Sequence, residues 1–227
     1  FEWLDLAVAR RDAGLPYVLA GHNGHVAWGT TSAVGDAVDL FIEQPSPDDP
    51  DQVLTPEGWR PMEKREQVVR IRQGKRFEER RFVVRHTRNG ALLNDMYPYL
   101  FPEGAPLVAL KWEPQGVSES IGALRRAAKA QNVREMREAL GGLATPASAW
   151  TAADTSGDIA FFVTGSLPVR AHHLGTFPVP GWLDKYQWQG RTNAEDMPFA
   201  VSREGFFAHA NNLVRDPRTG PVFVHID

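Results

Sequence analysis

Cysteine is absent from this chain of 227 residues, and so are a long apolar run and a strong excess of charge of one sign. Without cysteine there is no thiol nucleophile, no Cys-ligated zinc and no disulfide. No apolar run approaches the roughly 20 residues of a membrane span. A formal net charge of −3 gives no global attraction to nucleic acid or to an anionic membrane, so we expect neither partner. The 42 % hydrophobic content is that of a globular protein.

Common catalytic motifs are also missing. The chain has no phosphate-binding glycine-rich loop, no G-x-S-x-G elbow and no His-Glu-x-x-His segment. His172 and His173 are adjacent and would point apart on a strand, which favours a pair of loop residues over a shared metal site. The start at Phe1 lacks the features of a signal peptide, and the chain closes on an alternating, strand-like run at residues 222–227. We therefore expect an internal piece of a longer protein.

The pattern along the chain predicts strands more often than helices. Asn23-Gly24 between two short apolar segments indicates a β-hairpin, and Gly74 lies at the turn of a second predicted hairpin over residues 65–86. Further strands are predicted at 107–112, 150–153 and 159–164. Apolar residues recur at helical spacing only within 118–143. The sequence therefore predicts a strand-rich α+β domain over 1–227 with one helical insertion at 118–143.

Many basic residues lie within the second predicted hairpin, a pattern that can indicate a nucleic-acid surface: Arg70, Arg72, Lys75, Arg76, Arg80, Arg81 and Arg85 are close in sequence. Glu63, Glu66, Glu78 and Glu79 are interleaved with them. This mixture favours a solvated strand face with ion pairs across the strands.

Two segments carry a family resemblance. The first runs Gly21-His22-Asn23-Gly24-His25-Val26-Ala27-Trp28-Gly29-Thr30-Thr31 and is followed by Asp36-Ala37-Val38-Asp39. The second is the stretch from Trp150 to Arg170, with Asp154 and Gly157 at the turn of its hairpin. Together, in this order and spacing, they resemble the β subunit of the penicillin acylase family of N-terminal nucleophile (Ntn) hydrolases. The likeness continues through Val179-Pro180-Gly181 to Ala210-Asn211-Asn212. It implies part of an αββα sandwich.

The resemblance implies roles for several residues. Ser32 matches the backbone oxyanion donor, a task for which a rigid main-chain N–H needs no particular side chain. Arg170 matches an arginine that lines the active site. His22 and Asn23 belong to the signature strand, where structural hydrogen bonds are the expected role.

A calcium site is implied in the same way. It would use the carboxylates of Asp36 and Asp39 and the carbonyl oxygen of Val38, because a hard cation prefers oxygen ligands. Asp154 either adds a ligand or closes its hairpin turn. A further glutamate ligand of the family lies on the other subunit, outside this chain.

The pattern breaks in two places. The catalytic serine of the family is the first residue of the β subunit and uses its own α-amino group as base, whereas residue 1 here is Phe, so we expect this chain alone to be inactive. The family's side-chain oxyanion donor, an Asn, falls on Ala149, which has no donor. The neighbouring Ser148 would point to the opposite face of a strand.

The resemblance implies a function for the parent protein. It would hydrolyse the amide bond of an N-acylated amine such as a β-lactam side chain or an acyl homoserine lactone, after autoproteolytic processing. Trp28, Trp150 and Phe162 are candidates for an apolar substrate pocket. The expected partners are the α subunit and the remainder of the β subunit of the same precursor, and the expected location is periplasmic or secreted. The alternative is an inactive binding or scaffold protein on the same fold, which the loss at Ala149 favours.

Overall fold

The computed structural model describes residues 7–10, 18–112 and 117–214. Within these ranges the strands β1 to β14 cover Ala7–Arg10, Ala20–His22, Val26–Ser32, Val38–Glu43, Gln52–Thr55, Gly58–Pro61, Glu63–Gln73, Arg76–Thr87, Gly90–Leu92, Leu107–Trp112, Ser148–Asp154, Ile159–Thr164, Val179–Pro180 and Phe199–Ser202. The helices α1 to α3 cover Leu93–Met96, Val117–Ala127 and Val133–Leu140, and single 3₁₀ turns cover Pro98–Leu100, Asp184–Tyr186 and Ala194–Asp196. The run predicted as a strand at 222–227 lies outside the described residues. None of the described helices is both long enough and apolar enough to span a bilayer.

The contacts within the chain define two compact units. The first unit comprises Phe1–Ala37, Pro114–Val169 and Gln189–Asp227, and the second comprises Val38–Glu113 and Arg170–Trp188. Each unit is built from segments that are distant in sequence. Whether both act as the single predicted domain stays a prediction.

The first unit is a six-stranded sheet in the order β1-β2-β3-β11-β12-β14. Side chains alternate between its two faces because successive residues of a strand point to opposite sides. Trp28, Trp150 and Phe162 lie on one face, which we call the helix face because Leu124 and Met136 of α2 and α3 pack against it. Ala149 lies on the other face, the far face, in a small cluster with Ala33, Val163, Leu167 and Met197.

The helical insertion is two helices instead of the continuous region predicted at 118–143. The break lies at residues 128–132. There the side chain of Asn132 accepts hydrogen bonds from the backbone N–H groups of Arg134 and Glu135 and so caps α3. The Nδ2 of Asn23 also donates to the carbonyl oxygens of Ala128 (3.2 Å) and Ala130 (2.8 Å). These bonds tie the β2–β3 turn to the segment between the helices.

Asn23 also shapes the turn in which it lies. Its Oδ1 accepts hydrogen bonds from the backbone N–H groups of His25 (3.0 Å) and Val26 (2.8 Å). Gly24 follows with a φ of +85°, a conformation that glycine adopts without a steric penalty. The Asn-Gly turn predicted from the sequence is therefore present, and its asparagine has a structural role in addition.

The second unit is a six-stranded sheet in the order β13-β4-β10-β9-β8-β7. Its core contains Phe41 of β4, Leu92 of β9 and Ala109 of β10, all fully buried. β10 pairs with β4 in an antiparallel register from Leu107 to Trp112, which are the bounds predicted for this strand. β5 and β6 form a separate two-stranded hairpin.

The β7–β8 hairpin extends from the edge of this second sheet. β8 pairs with β9 at His86 and Thr87, while β7 and β8 pair with each other over their whole length around the turn at Gly74. Arg70 pairs with Glu79 directly across the strands at 2.9 Å, and both are exposed. The predicted cross-strand ion pair is therefore present on a solvated ribbon.

Candidate active site

The end of β3 presents a backbone N–H that points away from β11 and has no strand partner among the described residues. In an antiparallel ladder, successive N–H groups point to opposite neighbouring strands. The N–H of Ala33 donates to the carbonyl oxygen of Ala147 beside β11 (3.2 Å), so the N–H of Ser32 points away from β11. Among the described residues, β2 pairs with β3 only opposite Ala27 and Trp28 and does not reach Ser32. This N–H is therefore placed to donate to a ligand.

A cavity of about 560 Å³ adjoins the same strand end on the helix face. Ser32 and Trp150 belong to its lining, which also includes apolar side chains from α2 and from the loop after α3, namely Leu124, Ile121 and Leu143. Its volume lies within the range of roughly 300–1,000 Å³ that small-molecule sites occupy. Ser32, whose N–H is predicted as an oxyanion donor, is therefore one of the residues that line this cavity.

Three of the hydroxyl groups in this cavity form hydrogen bonds with the backbone. Thr30 Oγ1 donates to the carbonyl oxygen of Ala149 (3.1 Å), and Ser148 Oγ donates to that of Pro146 (3.2 Å). Ser120 Oγ accepts from the N–H of Ala144 (3.3 Å). Because these polar atoms are satisfied internally, the walls present mainly apolar surface. The cavity suits a hydrocarbon chain.

The three aromatic residues predicted to line the substrate pocket have different positions in the structure. Trp150 lines the cavity, and its Nε1 donates to Thr164 Oγ1 at 2.9 Å. Phe162 is fully buried and stacks on Trp150 at a ring distance of 6.3 Å. Trp28 is buried in the same core and is not part of this cavity. Phe162 therefore supports the wall, and of the three aromatics Trp150 is the one placed to touch a ligand there.

The neighbouring positions on β11 follow the alternation expected from the sequence. Ser148 faces the cavity, whereas Ala149 points to the far face. Ala149 is the Cα partner of Thr31 across the strands. The position at which the family resemblance expects a side-chain donor is therefore occupied by a buried methyl group.

Asn211 lies over the far face and was not singled out from the sequence as a site residue. Thr31 Oγ1 donates to Asn211 Oδ1 at 3.0 Å, although 180 residues separate them. Asn211 has a φ of +59°, which is uncommon for a residue other than glycine and is tolerated best by Asn. The available signals were its place in the Ala-Asn-Asn segment and the affinity of Asn for this backbone conformation.

Arg170 lies in the second unit and forms a buried ion pair with Asp39. The Arg170 side chain is 1 % exposed and that of Asp39 is 2 % exposed, with Nε and Oδ2 at 2.7 Å. Arg170 Nη2 also donates to the carbonyl oxygen of Val38 (3.3 Å), and Trp188 Nε1 donates to Asp39 Oδ2. Ser32 and Arg170 belong to different units. Their predicted meeting in one active site stays a prediction.

This arrangement bears on the predicted calcium ligands. Asp39 and the carbonyl oxygen of Val38 already accept hydrogen bonds from a guanidinium, which supplies positive charge to both. Calcium takes six to eight oxygen ligands. Across residues 7–10, 18–112 and 117–214, no three His, Asp or Glu side chains are arranged to hold a metal ion. The donors of this unit alone do not make up a calcium site, and calcium binding stays a prediction.

Asp154 closes the β11–β12 turn. Its Oδ1 accepts from Ser156 and from the N–H of Asp158, and its Oδ2 accepts from the N–H of Val133 (3.1 Å). Burial raises its pKa, but these hydrogen bonds together outweigh burial and hold the pKa below its ordinary value. Asp154 lies six residues along β11 from Ser148, about 20 Å at the usual rise per residue.

Asp36 lies near the Ser148 end of β11, which is the end opposite Asp154. It follows Gly35, which packs tightly against Ala147 and Leu167. The structure therefore shows Asp154 closing its turn, at the end of β11 remote from Asp36, and a ligand role for Asp154 stays a prediction.

His173 takes no part in a metal pair with His172. Its Nε2 lies 3.0 Å from the carbonyl oxygen of Tyr186, and its Nδ1 accepts from the N–H of Gly175 (3.2 Å). Both ring nitrogens therefore have backbone partners, as expected of a loop histidine.

A buried carboxyl group, Glu43, lies at the end of β4 in the second unit. Its Oε1 accepts from Thr87 Oγ1 (2.6 Å) and Asn89 Nδ2 (2.9 Å). Burial raises its pKa above the ordinary value, and these two hydrogen bonds oppose the rise. Asn89 also donates to the carbonyl oxygen of Gly181 (3.1 Å), so this network fastens the Val179-Pro180-Gly181 segment to the sheet.

Comparison with known proteins gives consistent results. The penicillin amidase family model matches residues 12–225. The chain is 33 % identical over 204 residues to acyl-homoserine lactone acylase QuiP of Pseudomonas fluorescens, covering 89 % of this chain and 24 % of the relative. It is 30 % identical over 199 residues to penicillin G acylase of Escherichia coli, covering 87 % and 22 %. This chain thus spans about a quarter of the length of these relatives.

A solved structure shows the same fold. The thermostable penicillin G acylase from Alcaligenes faecalis superposes with a TM-score of 0.70 and 26 % identity, over 85 % of this chain and 33 % of that one. The predicted strand-rich α+β fold of the Ntn hydrolases is confirmed by this likeness.

Proposed function

Because the chain belongs to the penicillin amidase family, we propose that it is part of an enzyme that hydrolyses the amide bond between an acyl chain and an amine. The observation that carries the proposal is the apolar cavity with Ser32 among the residues that line it. Relatives named as acyl-homoserine lactone acylase and as penicillin G acylase support the reaction class.

The reaction needs a nucleophile that this chain does not supply. We place it on an N-terminal serine outside residues 1–227, whose α-amino group takes the hydroxyl proton as the oxygen attacks the amide carbon. The Ser32 N–H donates to the oxyanion that forms on the carbonyl oxygen. The C–N bond then breaks, and the amine leaves with the proton. Water hydrolyses the acyl ester and releases the carboxylic acid.

We place the acyl group of the substrate in this apolar cavity. Trp150, Leu124 and Leu143 offer it hydrocarbon surface, and the hydroxyl groups nearby are bonded to the backbone. A largely apolar pocket discriminates chain length by roughly 1–3 kcal/mol for each methylene. We therefore expect hydrolysis to depend strongly on the length of the acyl chain.

Substituting a cavity residue tests this assignment. Ile121 lines the cavity from a half-exposed position on α2, so Ile121→Trp can fill the cavity without disturbing the core. The full-length precursor would be assayed against N-acyl homoserine lactones of four to twelve carbons and a phenylacetylated amine, with release of the amine measured by mass spectrometry. We expect Ile121→Trp to lower kcat/KM for long chains at least tenfold more than for short ones.

The matched control is Arg125→Trp on the exposed side of the same helix, which should stay within twofold of the wild type. Equal losses for all chain lengths would show that the cavity does not hold the acyl group. Absence of amide hydrolysis in the processed wild-type protein would reject the proposed function. It would favour the alternative of an inactive scaffold protein, which agrees with the absence of a side-chain donor at Ala149.

A further inference from the structure

The carboxamide of Asn211 is held in one orientation over the far face. Its Oδ1 accepts the hydroxyl hydrogen of Thr31 at 3.0 Å. Within the described part of the chain, no acceptor lies within hydrogen-bond distance of its Nδ2. The φ of +59° costs free energy for a residue with a Cβ atom, and such conformations cluster at functional sites. Asn211 thus presents an oriented amide group whose Nδ2 forms no hydrogen bond with the residues that the structure describes.

The location of this donor follows from the sheet register. Thr31 precedes Ser32, whose N–H has no strand partner among the described residues. Thr31 is also the partner of Ala149 on β11, and side chains directly opposite each other lie on the same face with Cβ atoms roughly 5 Å apart. The Asn211 carboxamide, which is hydrogen-bonded to Thr31, therefore lies near Ala149 on the far face. It shares a strand end with the Ser32 N–H, which lies in the plane of the sheet between the far face that carries Asn211 and the helix face that carries the cavity.

An oxyanion is stabilised best by two convergent donors, and an asparagine side chain paired with a backbone N–H is a common combination. Ala149 offers no donor. We propose that Asn211 Nδ2 is the second oxyanion donor of this enzyme, and that Thr31 is the positioning residue that orients its amide. The inference rests on the proposed function, because it assigns a residue to the same reaction.

Asn211→Asp and Asn211→Gly test the donor in the processed full-length protein. Asp keeps the shape and places a carboxylate where the amide was, while Gly keeps the backbone conformation because φ near +59° costs it nothing. We expect both to lower kcat about 10²–10³-fold, the usual effect of losing one oxyanion donor, with KM changed less than threefold. Asn212→Gly is the matched control, and it should remain within twofold of the wild type.

Two further measurements separate a catalytic role from a structural one. The affinity for an alkylboronic acid, whose tetrahedral adduct places an oxygen at the oxyanion position, should fall at least tenfold in Asn211→Asp, while the affinity for the product fatty acid should not change. Thr31→Val should lower kcat less than the Asn211 variants do, and Thr31→Ser should restore it. Ala149→Asn added to Asn211→Gly should recover at least tenfold of the lost kcat.

The outcomes distinguish this inference from the proposed function. If the wild type hydrolyses acylated amines and both Asn211 variants stay within threefold of its kcat, Asn211 is not a donor and only this inference fails. A loss of kcat that is matched by an equal loss of affinity for the fatty acid would also overturn it. An inactive wild type would remove both.

Discussion

Replacing Arg170 by methionine should increase local opening of β4 and of the segment that contains Arg170. Arg170 and Asp39 are almost fully buried, and the guanidinium also binds the carbonyl oxygen of Val38. Methionine keeps much of the volume and removes the charge. The carboxylate of Asp39 then stays buried with Trp188 as its remaining strong donor.

The magnitude follows from the burial of the carboxylate that remains. Removing one partner of a buried ion pair costs about 3–5 kcal/mol, because the other charge is left uncompensated. Removing both partners costs much less, so Asp39→Asn combined with Arg170→Met should recover most of the loss. An exposed pair gives a scale for comparison: Arg70→Met, which breaks the contact with Glu79, should cost less than about 1 kcal/mol.

Amide hydrogen exchange measured by mass spectrometry is the suitable assay, since local opening is read peptide by peptide. In Arg170→Met, peptides covering Val38–Glu43 should exchange about 10²–10⁴-fold faster, while peptides of the first unit serve as an internal reference. If exchange in β4 is unchanged, the ion pair does not hold this strand. If the double variant is as loose as the single one, the cost comes from packing and not from the unpaired charge.

Three other changes have expected outcomes. Gly181→Ala should destabilise the second unit by about 1–3 kcal/mol in thermal unfolding, because a Cβ there would meet Glu43 and would lie 2.7 Å from Asn89 Nδ2. Because the Glu43 pKa is raised in the folded protein, the stability of the wild type should fall as pH rises from about 4.5 through the folded pKa. In thermal denaturation, Glu43→Gln should be as stable as the wild type at pH 4 and more stable than the wild type toward pH 7. Asn23→Asp keeps the turn acceptors but loses the bonds to Ala128 and Ala130, so hydrogen exchange should report about 1–3 kcal/mol less protection at residues 128–132 and little change at the β2–β3 turn.

Local sequence patterns predicted the local elements well. The Asn23-Gly24 turn, the hairpin around Gly74 and the strand Leu107–Trp112 are all present, because turn geometry and period-two alternation are properties of neighbouring residues. The break between α2 and α3 was not predicted. Part of its cause is distant, since Asn23 binds two carbonyl oxygens more than a hundred residues away.

In the candidate site too, some features were predicted from the sequence and others are visible only in the folded chain. Ser32 and Trp150 were identified by the family motifs, and the cavity brings them together. The bonds of Thr31 to Asn211 and of Asp39 to Arg170 connect residues 180 and 131 positions apart, and only the folded chain shows them. The calcium prediction followed from the family resemblance, and the motif does not show that Arg170 already donates hydrogen bonds to Asp39 and to the carbonyl oxygen of Val38.

The β7–β8 hairpin is attached to its sheet at one end, and this leaves its length nearly independent of the rest of the fold. Deleting two residues from each strand keeps every remaining side chain on its original face of the ribbon. Deleting one residue from each strand moves the side chains beyond the deletion to the opposite face. Loop grafting or trimming is therefore tolerated in even steps at this ribbon. A protein engineer who needs to attach a tag or a label outside the unit that contains the cavity has a natural place to do so.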